Sequence, residues 1–367
     1  MTNSGKAPAS SGKRKTSGGA KGRSRKKQES WVSRNSLAIM ITALSVAAVV
    51  GAILLFAFIP YSGDEKPWIY VPEGATNAQL KDSLKTRLGS GMGMRVYALW
   101  RLEGGNPAAS NGAYQVVPGQ TALKIAHRIK TGRQTPVTVT FKGARTMPMV
   151  ARRIASQMQF DEADFLEACA EVLPEQGFKE AQFPAAFLPD SYEFYWSAHP
   201  RKVVKRLLDY RNEFWTPERV AKAEALGLSK VEVATVASIV EEETAKSDER
   251  PRVARLYLNR LKKGMKLQAD PTVKFAVGDF SLRRILGSHL KVNSPYNTYQ
   301  VKGLPPGPIR MPEAATLDAV LNAPSHPYIY MCAKEDFSGY HNFASTYPEH
   351  LANARRYQKA LDARGIR

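Results

Sequence analysis

Three successive glutamates lie near the end of a segment that has the periodicity of an apolar helix. The segment covers residues 231–246, and its apolar face consists of Val233, Val236, Val240 and Thr244. At 100° per residue, Glu242 points away from this face and is expected to be solvated, whereas Glu241 and Glu243 lie on its two opposite borders. Two carboxylates placed in this way can hardly serve one small site together.

Glu243 is the better candidate for acid chemistry. It is flanked by Val236 and Ile239, whereas Glu241 lies beside smaller side chains, so we expect Glu243 to be the more desolvated carboxyl group. Burial and the negative end of the helix dipole both raise the pKa of a carboxyl group, which can then stay protonated near neutral pH as a general acid must. The alternative is that the three glutamates form only the charged surface end of a helix.

Polar residues further along the chain suit the binding of a sugar. Gln268 and Asp270 lie at a predicted strand-to-helix junction, and the loop at residues 294–312 offers hydrogen-bonding groups and ring faces. The loop residues concerned are Tyr296, Asn297, Thr298 and Tyr299. Two ordinary alternatives are open: Asp270 caps the helix that begins at Pro271, and the loop is a proline-rich surface loop with incidental tyrosines.

The helices around these residues define the domain that must position them. Residues 248–265 form an amphipathic pattern with Pro251 near its start and Gly264 at its end. Its inward positions are Val253, Leu256, Tyr257 and Leu261. The chain is mainly helical from residue 161 onward, so we predict a mainly helical, mixed α/β domain over residues 161–367.

A smaller module is predicted in front of this domain. Residues 65–160 contain three successive strand-turn-helix patterns, with strands at 68–71, 114–117 and 137–141. This order of elements predicts a small α+β module, and the fold class of the whole exported part is α+β. The module shows no catalytic constellation, so binding or spacing is its expected work.

The N-terminal part predicts a membrane anchor. Residues 37–60 contain an uncharged run of 23 residues, 37–59, which is long enough to cross the hydrocarbon core as a helix. Residues 1–36 hold ten Lys/Arg and one acid and predict a disordered basic tail. The positive-inside rule then places the tail in the cytoplasm and everything after residue 61 on the far side of the membrane.

Charge and cysteine usage exclude other classes. The formal charge of +20 includes +9 from the tail, for which contact with anionic lipid is a sufficient explanation, and no nucleic-acid motif is present, so nucleic acid is not an expected partner. Cys169 and Cys332 predict neither a zinc site nor a disulfide framework. The histidines show no spacing for metal ligands; those considered are His127, His289, His326, His341 and His350.

Four blocks taken together resemble the MltG, or YceG-like, family of endolytic murein transglycosylases. They are ASIVEEET at 237–244, LYLNRLKKGMKLQADPTV at 256–273, YNTY at 296–299 and GLPPGPI at 303–309. More weakly, residues 112–132 look like the family's LysM-like module and LPDSYEF at 188–194 like its F-P-D-T-Y segment. In all, the resemblance extends from about residue 65 to about residue 360.

The resemblance assigns the catalytic role to one residue. The family's helix usually reads A-S-I-[VI]-E-K-E-[TA] with the second glutamate catalytic, and that position is Glu243 here. Glu242 replaces the usual lysine, and as a negative neighbour it is expected to raise the pKa of Glu243 further. Leu188 and Ser191 also depart from the family's pattern, and His341 falls in a stretch similar to its C-terminal H-x-F block.

The implied reaction is lytic cleavage of the β-1,4 bond between N-acetylmuramic acid and N-acetylglucosamine, which terminates nascent glycan strands with 1,6-anhydro ends. It requires no metal or other cofactor. The expected groups that hold the sugar are Gln268, Asp270, Asn297, Thr298, Tyr299 and Glu241. Implied partners are peptidoglycan strands, wall-synthesis polymerases and penicillin-binding proteins, at the plasma (inner) membrane. The alternative is a membrane-anchored peptidoglycan-binding scaffold without catalysis.

Overall fold

The computed structural model describes residues 31–282 and 284–365 of the chain. Most of the tail predicted at residues 1–36 therefore lies outside the described residues. The chain divides into two compact units, with the boundary between Ala57 and Phe58.

The first unit contains a long apolar helix. A short helix, α1 (Trp31–Arg34), precedes α2 (Ser36–Phe58), whose 23 residues carry no charged side chain. At 1.5 Å per residue α2 is about 34 Å long, which exceeds the hydrocarbon thickness of a bilayer. By its length and composition α2 can therefore cross a membrane. Its two ends lie within two residues of the predicted range, 37–60.

The second unit begins with a two-stranded sheet and three helices, residues 68–130, which we call the small module. Its elements are β1 (Trp68–Val71), α3 (Asn77–Leu88), α4 (Ser90–Leu102), a 3₁₀ turn (Pro107–Ser110), β2 (Gly112–Gln115) and α5 (Ala122–Lys130). The strands are antiparallel, with Trp68 opposite Gln115. A separate hydrophobic cluster, which includes Ile69, Leu84 and Trp100, fills the space between sheet and helices. The likeness of this module to LysM stays a prediction.

Local sequence explains the turn between α3 and α4. Thr76 and Gln79 form a capping box that starts α3, and Gly89 ends it at φ +80°, where a side chain would be strained. A Cβ at Gly93 would lie 2.5 Å from the carbonyl oxygen of Leu84, so the close packing of the two helices requires glycine there.

The third predicted strand does not pair with the small module's sheet. Instead β3 (Val137–Phe141) pairs antiparallel with β4 (Asp190–Phe194), with Phe141 opposite Asp190. Between them lie α6 (Met147–Ala155), α7 (Glu162–Glu175) and a 3₁₀ segment (Glu180–Ala186). Residues 137–158 contribute to the larger hydrophobic cluster, which extends to Ala323. Pairing across about fifty residues has no local signal in the sequence.

The remaining elements surround one buried helix, α10 (Lys230–Glu243). The others are α8 (Pro200–Phe214), α9 (Pro217–Ala225), α11 (Arg250–Lys262), α12 (Asp270–Val277), a 3₁₀ turn (His289–Lys291), α13 (Ala314–Leu321), β5 (Tyr330–Ala333), β6 (His341–Ala344) and α14 (Tyr347–Ala363). Every residue of α10 from Val233 to Glu241 is buried, so the helix is enclosed on all sides rather than along one stripe. The expectation of a single apolar face, with Glu241 and Glu243 on its two borders, is therefore wrong.

The proline-rich loop at 294–312 is packed rather than loose. A Cβ at Gly307 would come within 1.8 Å of the carbonyl oxygen of Ala181, so only glycine allows this approach. The backbone N–H of Ile309 donates to Oγ of Ser238 on α10. The loop is therefore anchored against the helix that carries the three glutamates.

Candidate functional site

Glu243 is the last residue of α10 and lies in the wall of a cleft. The residue as a whole is partly exposed, but its Oε2 is enclosed and has no hydrogen-bond partner among the described residues. Burial raises the pKa of this carboxyl group from the usual 4.5 to about 7, and the charge of Asp270 acts in the same direction. His341, Tyr257 and Arg260 act in the opposite direction. Glu243 can therefore hold its proton at neutral pH.

The groups around Glu243 come from three other elements. Tyr257 on α11 is buried, and its phenol acts to lower the pKa of the Glu243 carboxyl group. Asp270 begins α12, and His341 begins β6. A single carboxyl group is thus held among one phenol, one carboxylate and one imidazole, with Arg260 further along α11.

Glu242 is not solvated, contrary to the sequence prediction. Arg145 binds it with two hydrogen bonds of 3.0 and 2.9 Å, and Nη1 of Arg310 lies 2.8 Å from its Oε1. Two arginines thus neutralise Glu242, and it is not among the groups that shift the pKa of Glu243. The expectation that Glu242 raises this pKa is therefore wrong, and desolvation is the main cause.

Glu241 is the more buried of the two border glutamates, which reverses the expectation. Its side chain is 2% exposed, and its Oε1 lies 3.0 Å from Nη2 of Arg310. Its Oε2 accepts hydrogen bonds from the backbone N–H of Glu313 and from the Thr316 hydroxyl. These partners tie α10 to the start of α13, and Glu241 is not among the residues that line the cleft of Glu243.

Asp270 lies in the cleft with Glu243 and is not a helix cap. Helix α12 begins at Asp270 itself, after an N-terminal capping position, Ala269, that has no side-chain cap. Oδ1 of Asp270 instead accepts a hydrogen bond of 2.7 Å from the Tyr299 hydroxyl. The structure therefore brings Glu243, Asp270 and Tyr299 together, and the capping alternative for Asp270 is wrong.

Asn297 and Thr298 are fully buried, so they do not face the cleft in this structure. Nδ2 of Asn297 donates to the carbonyl oxygens of Leu290 and Val292. Oγ1 of Thr298 accepts from the backbone N–H of Ala269 and lies 2.8 Å from the Thr272 hydroxyl. Thr298 thus fastens the loop to the start of α12, and Asn297 fastens it to residues 290–292, so together they hold the segment that carries Tyr299.

Gln268 is exposed two residues before Asp270 and has a strained backbone. Its φ of +49° lies in the left-handed region, where non-glycine residues are uncommon. Its N–H donates to the carbonyl oxygen of Thr298, and its Oε1 accepts a hydrogen bond of 3.4 Å from Arg260. The same guanidinium group donates to the carbonyl oxygen of Leu267. Residues 266–268 are thus held in one fixed turn beside the cleft.

The cleft has a volume of about 920 Å³, enough for a saccharide. Its lining combines acidic, basic and apolar side chains from α10, α12, the following loop and α14: Glu242, Glu243, Asp270, Pro271, Lys274, Arg284, Ile285, Tyr357, Gln358, Leu361 and Asp362. The C-terminal helix α14 therefore forms one wall of the cleft.

A second cavity, of about 610 Å³, has a different character. Its carboxylates are Glu73, Asp164, Glu167 and Glu171. Arg201 pairs with Glu171, and Asp164 is engaged in the capping box of α7. None of these carboxylates has an enclosed oxygen without a partner, as Glu243 does, so the cleft at Glu243 is the better candidate for acid chemistry.

Several site residues were missed from the sequence. Tyr257 was predicted to point inward, and Arg260 lies three residues later on the same helix, where a basic residue next to an apolar face was a usable signal. Arg145 and Arg310 gave no signal, since they reach Glu242 from 97 and 68 residues away in the sequence. Within residues 31–282 and 284–365, no three side chains of metal-ligand type lie together, and Cys169 and Cys332 are free thiols.

Comparison with known proteins gives a family match and a shared fold. Residues 69–356 match the family model described as the YceG-like family. A crystal structure of a YceG-like protein from Listeria monocytogenes has the same fold, with a TM-score of 0.53 and 23% sequence identity. That superposition covers 79% of this chain and 99% of the Listeria chain.

Curated relatives match over shorter stretches. The chain is 40% identical over 123 residues to the endolytic murein transglycosylase of Bacillus subtilis (strain 168), which covers 34% of this chain and 33% of the relative. It is 33% identical over 106 residues to the protein of the same name from Streptococcus pneumoniae (serotype 2, strain D39), covering 28% of this chain and 19% of the relative. The aligned part thus amounts to a third or less of each relative's length.

Proposed function

The chain belongs to the YceG-like family, and on that premise we propose that it is an endolytic peptidoglycan transglycosylase. It cleaves the β-1,4 bond between N-acetylmuramic acid and N-acetylglucosamine and leaves 1,6-anhydro-muramic acid ends. The main support for the proposal is the carboxyl group of Glu243 in the wall of a cleft, where burial raises its pKa to about 7. Relatives named endolytic murein transglycosylase support the substrate class.

The proposed reaction needs one acid and no water. Glu243 gives its proton to O4 of the departing N-acetylglucosamine as the bond from C1 of the muramic acid to O4 breaks. The 6-hydroxyl oxygen of the same muramic acid then bonds to C1, and its proton passes to the Glu243 carboxylate. Hydrolases need a second carboxylate to activate water or to form a glycosyl-enzyme, whereas here the nucleophile belongs to the substrate.

The neighbours of Glu243 receive different roles. Asp270 accepts a hydrogen bond from the sugar through Oδ2, the Tyr299 hydroxyl oxygen, whose proton goes to Asp270, offers the sugar an acceptor, and the exposed Gln268 supplies a further polar group. Asn297 and Thr298 act by holding the loop, because they are buried and their polar groups are already bonded within the protein. Glu241 acts through Arg310, which also neutralises Glu242.

The proposed location is the outer side of the plasma membrane. Helix α2 anchors the chain as a single span, and the basic residues before it keep the N-terminus in the cytoplasm. The cleft then faces the wall, where the enzyme ends the growth of nascent strands beside polymerases and penicillin-binding proteins. The small module, for which likeness to LysM stays a prediction, binds the wall in this proposal.

The products formed in water labelled with ¹⁸O distinguish a transglycosylase from a hydrolase and from a scaffold. Purified peptidoglycan is digested with the protein in H₂¹⁸O, and the soluble muropeptides are analysed by mass spectrometry. The proposal predicts internal fragments with 1,6-anhydro ends and no ¹⁸O. Reducing ends that carry one ¹⁸O would mean a hydrolase, and binding to the wall without any product would mean a scaffold.

A further inference from the structure

His341 and Glu249 form a buried pair beside the proposed acid. Nδ1 of His341 lies 2.8 Å from Oε2 of Glu249, and the backbone N–H of His341 donates to Oε1 at 2.7 Å. The Thr244 hydroxyl donates to Oε2 of Glu249 at 2.9 Å. The side chain of Glu249 is 3% exposed, so both carboxylate oxygens are fixed and the imidazole has one orientation.

The second ring nitrogen of His341, Nε2, is not used in the contact with Glu249. Nε2 has no hydrogen-bond partner among the described residues. It is not fully enclosed by the protein, so solvent reaches it. Because Glu249 accepts from Nδ1–H, the pair favours an imidazole that carries protons on both nitrogens. A carboxylate that fixes an imidazole in this way is a recurring arrangement for a positively charged ring.

The charged groups that act most strongly on Glu243 and on His341 come from several elements. Those acting on Glu243 are His341 from β6, Asp270 from α12 and Arg260 from α11, with the Tyr257 phenol beside them. Those acting on His341 are Glu249 and Glu243, and together they raise the pKa of the imidazole although its burial lowers it. Arg260 already donates to the carbonyl oxygens of Ile329 and Leu267. Lys274 and Arg284 also line the cleft at Glu243, but neither is in an ion pair with the described residues, whereas His341 is held in one orientation by the buried Glu249.

We propose that Glu249 holds His341 as a cationic positioning residue, which stabilises the carboxylate that Glu243 becomes when it gives up its proton. The inference rests on the proposed function of Glu243 as the acid. Glu243 is neutral before the transfer and negative after it, so a fixed cation nearby favours the state after transfer over the state before it. His341 transfers no proton in this account.

The first test measures the pair directly and needs no substrate. Full-length protein in detergent micelles, labelled with ¹⁵N at its histidines, is titrated by NMR, and a His341→Gln variant assigns the resonance. Wild type is compared with Glu243→Gln. The proposal predicts that the pKa of His341 falls measurably in Glu243→Gln, because one of the two carboxylates that favour the cation is lost. An unchanged pKa would overturn it, whether or not the protein cleaves peptidoglycan.

The second test separates positioning from folding. In His341→Gln the cation is lost, so the pKa of Glu243 rises and the alkaline limb of the pH profile moves to higher pH. At the same time kcat falls by about tenfold to 10²-fold with little change in KM. Glu249→Gln should show the same pattern, whereas Glu335→Gln, on the exposed turn before β6, should show neither change. A fall in kcat without a shift of the limb, or no change at all, would overturn the proposal.

Discussion

The hydroxyl group of Tyr299 donates a hydrogen bond of 2.7 Å to Oδ1 of Asp270, which lines the same cleft as Glu243. Oδ2 of Asp270 accepts no hydrogen bond from the described part of the chain, so it is available to a ligand. The loop that carries Tyr299 is fixed by the buried Asn297 and Thr298. Asp270 thus owes its orientation to a loop 29 residues away in the sequence.

Tyr299→Phe should weaken substrate binding with little loss of stability. The variant removes the hydrogen bond that orients Asp270, and we expect substrate binding to weaken by about 1 kcal/mol, which raises KM about fivefold. Steady-state release of muropeptides checks this. Tyr210→Phe is the matched control, since it removes a Tyr–Asp hydrogen bond, to Asp190, outside the cleft. Equal KM values for the two variants would contradict the role of Tyr299.

Reversing the charge at Glu242 should destabilise the protein. Glu242→Lys places a cation against Arg145 and Arg310. Because the Glu242 side chain is only 13% exposed, the free energy of unfolding should fall by about 3 kcal/mol. Arg145→Glu should also be destabilising. The double variant restores one opposite-charge pair. Its loss of unfolding free energy should be smaller by at least about 1 kcal/mol than the sum of the losses in the two single variants. Urea unfolding of the four proteins measures this, and strict additivity would show that the pair does not interact.

Much of the acid's environment was predictable from the sequence. Helix α10, its N-terminal cap at Ser229 and the position of Glu243 near its end follow from the local pattern, and the raised pKa of Glu243 follows from apolar neighbours. Asp270 and Tyr299 were named as candidates, and the structure brings them together with Glu243. Each of these features depends on residues that are close in sequence or on residue type alone.

The rest depended on contacts between distant segments. The burial of Glu241 and the neutralisation of Glu242 come from Arg310 and Arg145, which no periodicity of α10 can indicate. The polarity of Asn297 and Thr298 suggests a sugar-binding role, but Asn297 bonds to the carbonyl oxygens of Leu290 and Val292, and Thr298 bonds to residues 269 and 272 at the start of α12. A helical wheel describes one helix against solvent, and α10 is enclosed by its neighbours on all sides.

The raised pKa of Glu243 predicts a specific dependence of stability on pH. The unfolded chain loses this proton near pH 4.5, whereas the folded protein keeps it until about pH 7. Stability should therefore decline as pH rises from 4.5 to 7 and level off above, by as much as about 3 kcal/mol for this group. Glu243→Gln removes the decline. Urea unfolding at pH 4 to 8 should show equal stability at pH 4 and a more stable variant at pH 8; parallel curves would contradict the pKa.

The proposed orientation in the membrane predicts which side each end of α2 faces. Single cysteines are introduced by Ser10→Cys and Ser62→Cys, and intact cells are treated with a membrane-impermeant maleimide. Residue 62 should be labelled and residue 10 only after the cells are opened, because the basic segment precedes the span. The unsubstituted protein gives the background from Cys169 and Cys332. Labelling of residue 10 in intact cells would show the opposite orientation and contradict the proposed topology.

The role of Glu243 as the acid is tested by whether anhydro ends are lost when it is replaced. Digests of peptidoglycan by wild type, Glu243→Gln, Glu241→Gln and Glu232→Gln are compared by mass spectrometry, with the fold of each checked by its melting temperature. Glu232 lies on the same helix, and glutamine preserves its capping box. We expect Glu243→Gln, alone among the three variants, to lose at least about 10²-fold in the yield of 1,6-anhydro ends while remaining folded. Retained activity in Glu243→Gln, or its loss in a folded Glu241→Gln, would contradict it.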